Sequence, residues 1–266
     1  MSLIAGIDIG STSVKISLLD TNSQKIIATH KNKYNFQMNE KLKNFPNYCQ
    51  QDVGTIVESI QKTLSLFDAQ LRANVKLISI CGQMHGCVLW DNQSYYEYLP
   101  KTEEFKVNQT SVSDLYNWQD SRCTDQFIAS LPTPHSYNTC ISSGFGCATI
   151  FWLQRHSNQL LNQFNSSATI MDYVVAVLCH LKRPLMSSQN AMSWGYFDPI
   201  GHSWNEYILK SHDFPIHLLP IVKKCGSIAG ETQFNWLGIK TKTPVMVALG
   251  DMQCATYANL RDNPHT

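Results

Sequence analysis

An apolar run that reaches a lone acid, breaks at glycine and small hydroxyls, and resumes in strict alternation leaves few folds open to the first twenty residues. Leu3-Ile4-Ala5-Gly6-Ile7-Asp8-Ile9 reads as a strand, Gly10-Ser11-Thr12-Ser13 as a tight turn, and Val14, Ile16 and Leu18 as the buried face of a returning strand. Gly10 permits an unusual turn conformation, and successive backbone N–H groups and hydroxyls around Ser11, Thr12 and Ser13 suit phosphate oxygens. Asp8 would face the same mouth. A carboxylate beside a phosphate cradle is most useful with a hard cation such as Mg²⁺ between them. The same octet also fits an ordinary hairpin with a polar tip.

The remaining pattern alternates helix and strand. Lys25 to His30 predicts a third strand, followed by a polar stretch from Lys31 to Pro46. Val53, Ile56, Val57, Ile60, Leu64, Phe67 and Leu71 recur at helical spacing, predicting one helix from Asp52 to Leu71 with Asp52 at its cap. Val75 to Cys81 predicts a buried strand that delivers Gly82-Gln83-Met84-His85-Gly86 to its end, and Cys87 to Trp90 another strand. Residues 91–117 carry no clear period and read as a loop around Pro100. A helix is expected after Trp118-Gln119-Asp120-Ser121-Arg122, ending by Pro132 and Pro134; beyond Ser142 to Gly146, Ile150, Phe151, Leu153, Leu160, Leu161 and Phe164 give a helical pattern, and Ile170 to Leu181 a largely buried helix. Asp172 would then sit where a carboxylate suits the helix dipole. Ser187 to Ala191 reads as a polar loop, Trp204 to Leu209 as a helix, and Pro244 to Leu249 as one buried strand leading to Gly250-Asp251-Met252-Gln253. Such an order predicts an α/β fold with a mixed β-sheet and flanking helices, whose strand ends hold the ligand.

Composition narrows the function. With 21 basic and 20 acidic residues the net charge is +1, so nothing draws the chain as a whole to nucleic acid or an anionic membrane. The apolar start lacks a basic leader and the later apolar runs are too short to span a bilayer, so a soluble, cytoplasmic protein is expected. Nine cysteines at irregular spacing suit reduced thiols. Cys81, His85 and Cys87 lack a fourth ligand at zinc-finger spacing.

Four constellations remain: Asp8-x-Gly10-Ser11-Thr12-x-x-Lys15, Gly82-Gln83-Met84-His85-Gly86, Trp118-Gln119-Asp120-x-Arg122 and Gly250-Asp251-x-Gln253. In this order they resemble the motifs of the FGGY carbohydrate kinases. The resemblance continues through Ser143 to Leu153, Met171 to Ala176, Arg183 to Ser187, Ser193 to Phe197 and His217 to Pro220. It implies an actin-like, ribonuclease-H-like fold, with residues 1–260 forming the N-terminal sugar-binding lobe, 261–266 a polar tail, and a C-terminal ATP-binding lobe absent. By the same resemblance the activity is ATP-dependent phosphorylation of a ketose, sedoheptulose first and xylulose second, with ATP and Mg²⁺ as cofactors. A non-catalytic sugar-binding or interaction module is the reading from another class.

The resemblance also implies site roles. Asp251 would be the catalytic base; Met84, His85, Trp118, Asp120 and Arg122 would bind the ketose. Gly10, Ser11, Thr12, Ser13 and Lys15 would face the nucleotide phosphates, with Asp8 at the metal. Blander readings stand beside these: Asp251 as a helix cap, His85 as a packed loop residue, Asp120 and Arg122 as a solvated pair, Trp118 as core, Lys15 as a solvent-facing strand residue. Ser121 departs from the glycine frequent in close relatives, and could narrow the pocket or point outward.

Overall fold

The computed structural model describes residues 1–34, 45–134 and 140–262. The first three strands form as read: β1 (Leu3–Ile9), β2 (Ser13–Asp20) and β3 (Lys25–Lys33) make an antiparallel meander. Leu3, Ala5, Ile7 and Ile9 of β1 and Val14, Ile16 and Leu18 of β2 are buried, as period-two alternation requires. The polar stretch after β3 falls mostly on residues 35–44, outside the described residues, as do 263–266 of the expected tail.

After β4 (Gln50–Gln51) comes α1 (Val53–Ser65), capped by Asp52, whose carboxylate accepts from the Thr55 N–H. The single expected helix is two. Leu66 and Phe67 tighten onto Thr63 and Leu64 carbonyls, and Asp68 caps a fresh helix, α2 (Ala69–Ala73), by accepting from the Gln70 N–H at 2.7 Å. A short acidic side chain that can bond the backbone favours a cap over a helix interior.

Next come β5 (Val75–Gly82) and β6 (Val88–Trp90). Residues 91–117 are not simply a loop: β7 (Tyr96–Leu99) and β8 (Glu104–Val107) pair as a hairpin around Pro100, and β9 (Leu115–Tyr116) pairs with β4. The hairpin is fixed to α1 by the Gln61 carboxamide, which donates to the Phe105 carbonyl at 3.0 Å and accepts its N–H at 2.7 Å. A side chain acting as a strand partner leaves no trace in periodicity.

Helices α3 (Asp125–Ala129), α4 (Gly146–His156) and α5 (Asn158–Leu161) lead to β10 (Ser166–Ala168) and α6 (Ile170–Cys179). The expected loop at Ser187 is β11 (Leu185–Ser187) running into α7 (Ser188–Met192), with Ser187 as its cap. Strands β12 (Phe197–Asp198) and β13 (Ser203–Trp204) precede α8 (Glu206–Ser211), followed by β14 (Ile221–Lys223) and β15 (Ile228–Glu231). The expected strand from Pro244 is broken into β16 (Pro244–Met246) and β17 (Leu249–Gly250), after which α9 (Asp251–Asp262) begins. Val245 pairs with Ile78 but Leu249 with Cys81, so this segment spends one residue more than β5 over the same span and bulges.

The main sheet runs β15-β16-β5-β1-β2-β3, with β17 also on β5. Helix α1 packs over β1 to β3, and α6 over β5, β15 and β16. Every residue of α6 is buried, including Asp172. Burial pushes the Asp172 carboxyl up to about 8, against the pull of its Thr169 bonds, and its Oδ1 lacks a partner. At neutral pH the group is therefore largely protonated, and the expected charge–dipole benefit is lost.

The folded chain thus holds a proton that the unfolded chain releases above its ordinary value of 3.8. Stability contributed by this group is full below that value and declines as pH rises towards about 8. Between pH 5 and 8, Asp172→Asn should gain on the wild type in unfolding free energy by on the order of 3 kcal/mol. Denaturant titrations at the two pH values check it; a difference independent of pH would show an ordinary carboxylate.

Candidate active site

Three parallel strands end side by side. Ile9 of β1 and Gly250 of β17 both pair with Gly82 of β5, so the Gly10–Ser13 turn, the Gln83–Gly86 loop and Asp251 leave the sheet at one end. At Gly82 the approach is close enough to demand glycine, since a Cβ there would lie 2.3 Å from the Ile9 carbonyl oxygen, while Gly250 packs against the Met84 side chain. The Gln83 N–H donates to the Ile9 carbonyl at 2.8 Å. Gly250 is held from the other side, its N–H donating to Gln189 Oε1 at 2.9 Å.

Asp251 is itself the first residue of α9, and its carboxylate accepts the Met252 N–H at 2.7 Å. Asp8 lies within electrostatic reach of it. Partial burial raises the Asp8 carboxyl above its usual range, Lys15 Nζ at 4.0 Å draws it down, and the Asp251 charge pushes it up again. Lys15 is half-exposed on the hairpin. The turn is pinned by the Gly10 N–H on the Ser13 carbonyl and the Tyr34 N–H on the Thr12 carbonyl, both at 3.0 Å. Beside Asp8 the Cys81 and Cys254 thiols neighbour one another, an interaction that raises Cys81 and lowers Cys254.

Met84 is buried, whereas His85 is partly open and adopts a left-handed backbone, φ +72°. Its Nδ1 lies 2.7 Å from the Ser193 carbonyl, which can only accept, so Nδ1 carries a proton and Nε2 is the nitrogen left for a ligand. The imidazole stacks flat on Phe145, 4.5 Å between centroids. The preceding Gly144 (φ +79°) presses on the Trp118 backbone, so this glycine–phenylalanine step joins the His85 and Trp118 motifs. Trp118 is not core: it is 44% exposed, with its indole N–H donating to Ser11 Oγ at 2.9 Å.

Asp120 and Arg122 are not a solvated pair. Their side chains are 2% and 4% exposed, joined by Nε and Nη2 bonds of 2.8 Å each. Asp120 also accepts the Cys49 and Arg122 N–H groups, at 2.8 and 3.1 Å. The guanidinium lies over Tyr48, Tyr116 and Trp152, 4.1, 4.6 and 5.2 Å from their centroids. Ser121 points outward, its hydroxyl 3.3 Å from the Asn47 carbonyl. Gln51, Asn117 and Gln189, which carry much of the bonding here, lie outside the four motifs and have no periodicity that would single them out.

An open concavity of about 1000 Å³ lies between α1 and the β7–β8 hairpin and is lined by none of these strand-end residues. Chemistry rather than size marks the site. Among the described residues no three metal-ligating side chains gather, and no helix is long and apolar enough to cross a membrane.

A sequence model of the N-terminal domain of the FGGY family of carbohydrate kinases matches residues 3–258. The chain belongs to that family. It is 41% identical over 257 residues to a sedoheptulokinase from Mus musculus, covering 95% of this chain and 54% of that protein. With a xylulose kinase from Escherichia coli K12 it shares 24% over 258 residues, 92% of this chain and 48% of the relative. The chain thus spans about half the length of these curated relatives. In fold it is similar to a Rhodospirillum rubrum xylulose kinase, with TM-score 0.74, 16% identity, and coverage of 96% of this chain and 50% of that one. A Plasmodium falciparum glycerol kinase with ADP gives TM-score 0.75 at 17% identity, covering 96% of this chain and 49% of that one. The FGGY domain accordingly has the actin-like architecture of sugar kinases.

Proposed function

We propose that this FGGY domain is the sugar-binding lobe of an ATP-dependent ketose kinase acting on sedoheptulose, with residues 1–260 as the lobe and a second lobe holding most of the nucleotide. The observation that carries the reaction class is the convergence of an acid at a helix start, a glycine–hydroxyl turn and an imidazole-bearing loop on the ends of β17, β1 and β5. The substrate is suggested by 41% identity to a protein named sedoheptulokinase. We place it in the cytosol, a compartment that suits its nine free cysteines.

In this reading Asp251 accepts the proton of the sugar hydroxyl as that oxygen attacks the γ-phosphorus and the bond to the β-phosphate oxygen breaks. His85 hydrogen-bonds a sugar hydroxyl through Nε2, Met84 supports the same loop, and the open face of Trp118 carries the C–H surface of the sugar. Asp120 and Arg122 brace the pocket wall. N–H groups and hydroxyls of Gly10, Ser11, Thr12 and Ser13 meet phosphate oxygens, with Lys15 as a nearby cation. Asp8 and Asp251 repel one another, a pairing that fits Mg²⁺ held by one or two carboxylates and chiefly by phosphates. When bound, that ion would neutralise charge on the transferred group.

The test is ketose-dependent ADP release by the full-length protein. Sedoheptulose should give the highest kcat/KM. A clear preference for xylulose would replace the substrate, and no turnover with any ketose, despite measurable sugar binding, would favour the non-catalytic module.

A further inference from the structure

Three carboxamides behind the strand ends form a chain of hydrogen bonds that all run in one direction. The Gln119 N–H donates to Asn117 Oδ1 at 2.9 Å, and Asn117 Nδ2 donates to Gln83 Oε1 at 2.9 Å. Gln83 Nε2 donates to Gln51 Oε1 at 3.0 Å, and Gln51 Nε2 to the Ser11 carbonyl at 2.7 Å. Trp118, next to Asn117, closes the circuit by donating to Ser11 Oγ at 2.9 Å. Asn117, Gln83 and Gln51 are only 0%, 3% and 9% exposed, so water offers little replacement for a broken link. Head-to-tail amides in a buried setting polarise one another, and loss of one link weakens the rest.

The circuit joins the turn after β1 to the loop after β5 and to the Trp118 segment; on one side of that loop strand pairing stops at Ile9 and Gly82, and on the other the loop is tied to Tyr116 only by the Cys87–Tyr116 bridge. We propose that Gln51 is a positioning residue for phosphoryl transfer, holding the Ser11 turn in register with the Gln83–His85 loop. Gln51 is suited to this because β4 fixes its backbone against Leu115, two residues before Asn117. Its carboxamide is needed as donor and acceptor at once. The inference rests on the kinase reading above, since it gives the turn to phosphates and the loop to sugar.

Two variants of the full-length enzyme test it. Gln51→Leu breaks both links and should lower kcat about 10-fold or more, with the ketose Kd held within about three-fold, because a small misplacement of reacting groups costs rate before affinity. Gln51→Glu keeps the shape, but an ionised carboxylate cannot donate to Ser11, whereas a protonated one both donates and accepts. Its activity relative to wild type should therefore recover as pH is lowered from about 8 to about 5.5, a recovery that Gln51→Leu cannot show. Rates are taken per folded enzyme, counted by ketose-binding stoichiometry, so that lost stability alone moves neither readout. Should Gln51→Leu not fold, the pH profile of Gln51→Glu decides. Wild-type kcat in Gln51→Leu, or a Gln51→Glu profile parallel to wild type, overturns the inference alone. A wild-type enzyme without ketose-dependent ADP release overturns the kinase reading and this inference with it.

Discussion

Replacing Asp251 by asparagine is expected to lower kcat of the full-length enzyme by about 10²- to 10⁴-fold, the usual contribution of a general base, while the ketose Kd stays within about three-fold. The substitution is nearly isosteric, and an amide oxygen can still accept the Met252 N–H that the carboxylate holds at 2.7 Å. The bonds that position residue 251, from Gly250 to Gln189 and from β17 to β5, involve backbone groups that the change does not touch. What is lost is a group able to take the hydroxyl proton. A second readout is independent of turnover. The Asp251 charge is one of the influences raising the Asp8 carboxyl, so Asp8 should titrate at lower pH in Asp251→Asn. Rapid-quench or coupled kinetics give the first result and carboxyl NMR the second; near wild-type kcat would remove Asp251 from the role of base.

The parts of the fold that periodicity reaches were legible in the sequence: the β1–β3 meander, the stripe of α1 and the apolar strand β5 all follow from alternation or helical spacing. Where side chains rather than periodicity set the backbone, the reading failed. Asp68 splits a helix, Gln61 pairs with β8, and a bulge divides β16 from β17. The site shows the same division. Its motifs stand out because glycine, acid and histidine cluster at strand ends, and the strand register brings those ends together. The supports do not stand out. Gln51 and Asn117 are polar residues in short irregular stretches, and only three-dimensional closure turns them into a hydrogen-bonded circuit. Burial, too, is invisible at the level of motif: spacing alone left a solvated Asp120–Arg122 pair open beside a pocket role, and read Asp172 as a helix-start anion.

That burial makes Asp120 the residue whose truncation should cost the most stability. Asp120→Ala would leave the Arg122 guanidinium, 4% exposed, without the carboxylate that takes its Nε and Nη2 bonds. It would also orphan the Cys49 N–H, which anchors the segment running into β4 and Gln51. Breaking one side of a buried ion pair costs about 3–5 kcal/mol, because the stranded charge keeps its desolvation penalty. Three aromatic rings over the guanidinium offset part of this through cation–π attraction, but they cannot supply the acceptors that planar N–H donors need. Asp120→Asn should be milder, since one oxygen still accepts, yet its amide N–H₂ opposes a donor where Oδ2 or Oδ1 stood. The double variant Asp120→Leu/Arg122→Met removes both charges and should be more stable than Asp120→Ala, as expected when the cost lies in the unpaired cation and not in the missing bridge. Denaturant midpoints for the three variants, measured without ligand, separate these terms. Equal stability of Asp120→Ala and wild type would mean that the pair is solvated after all.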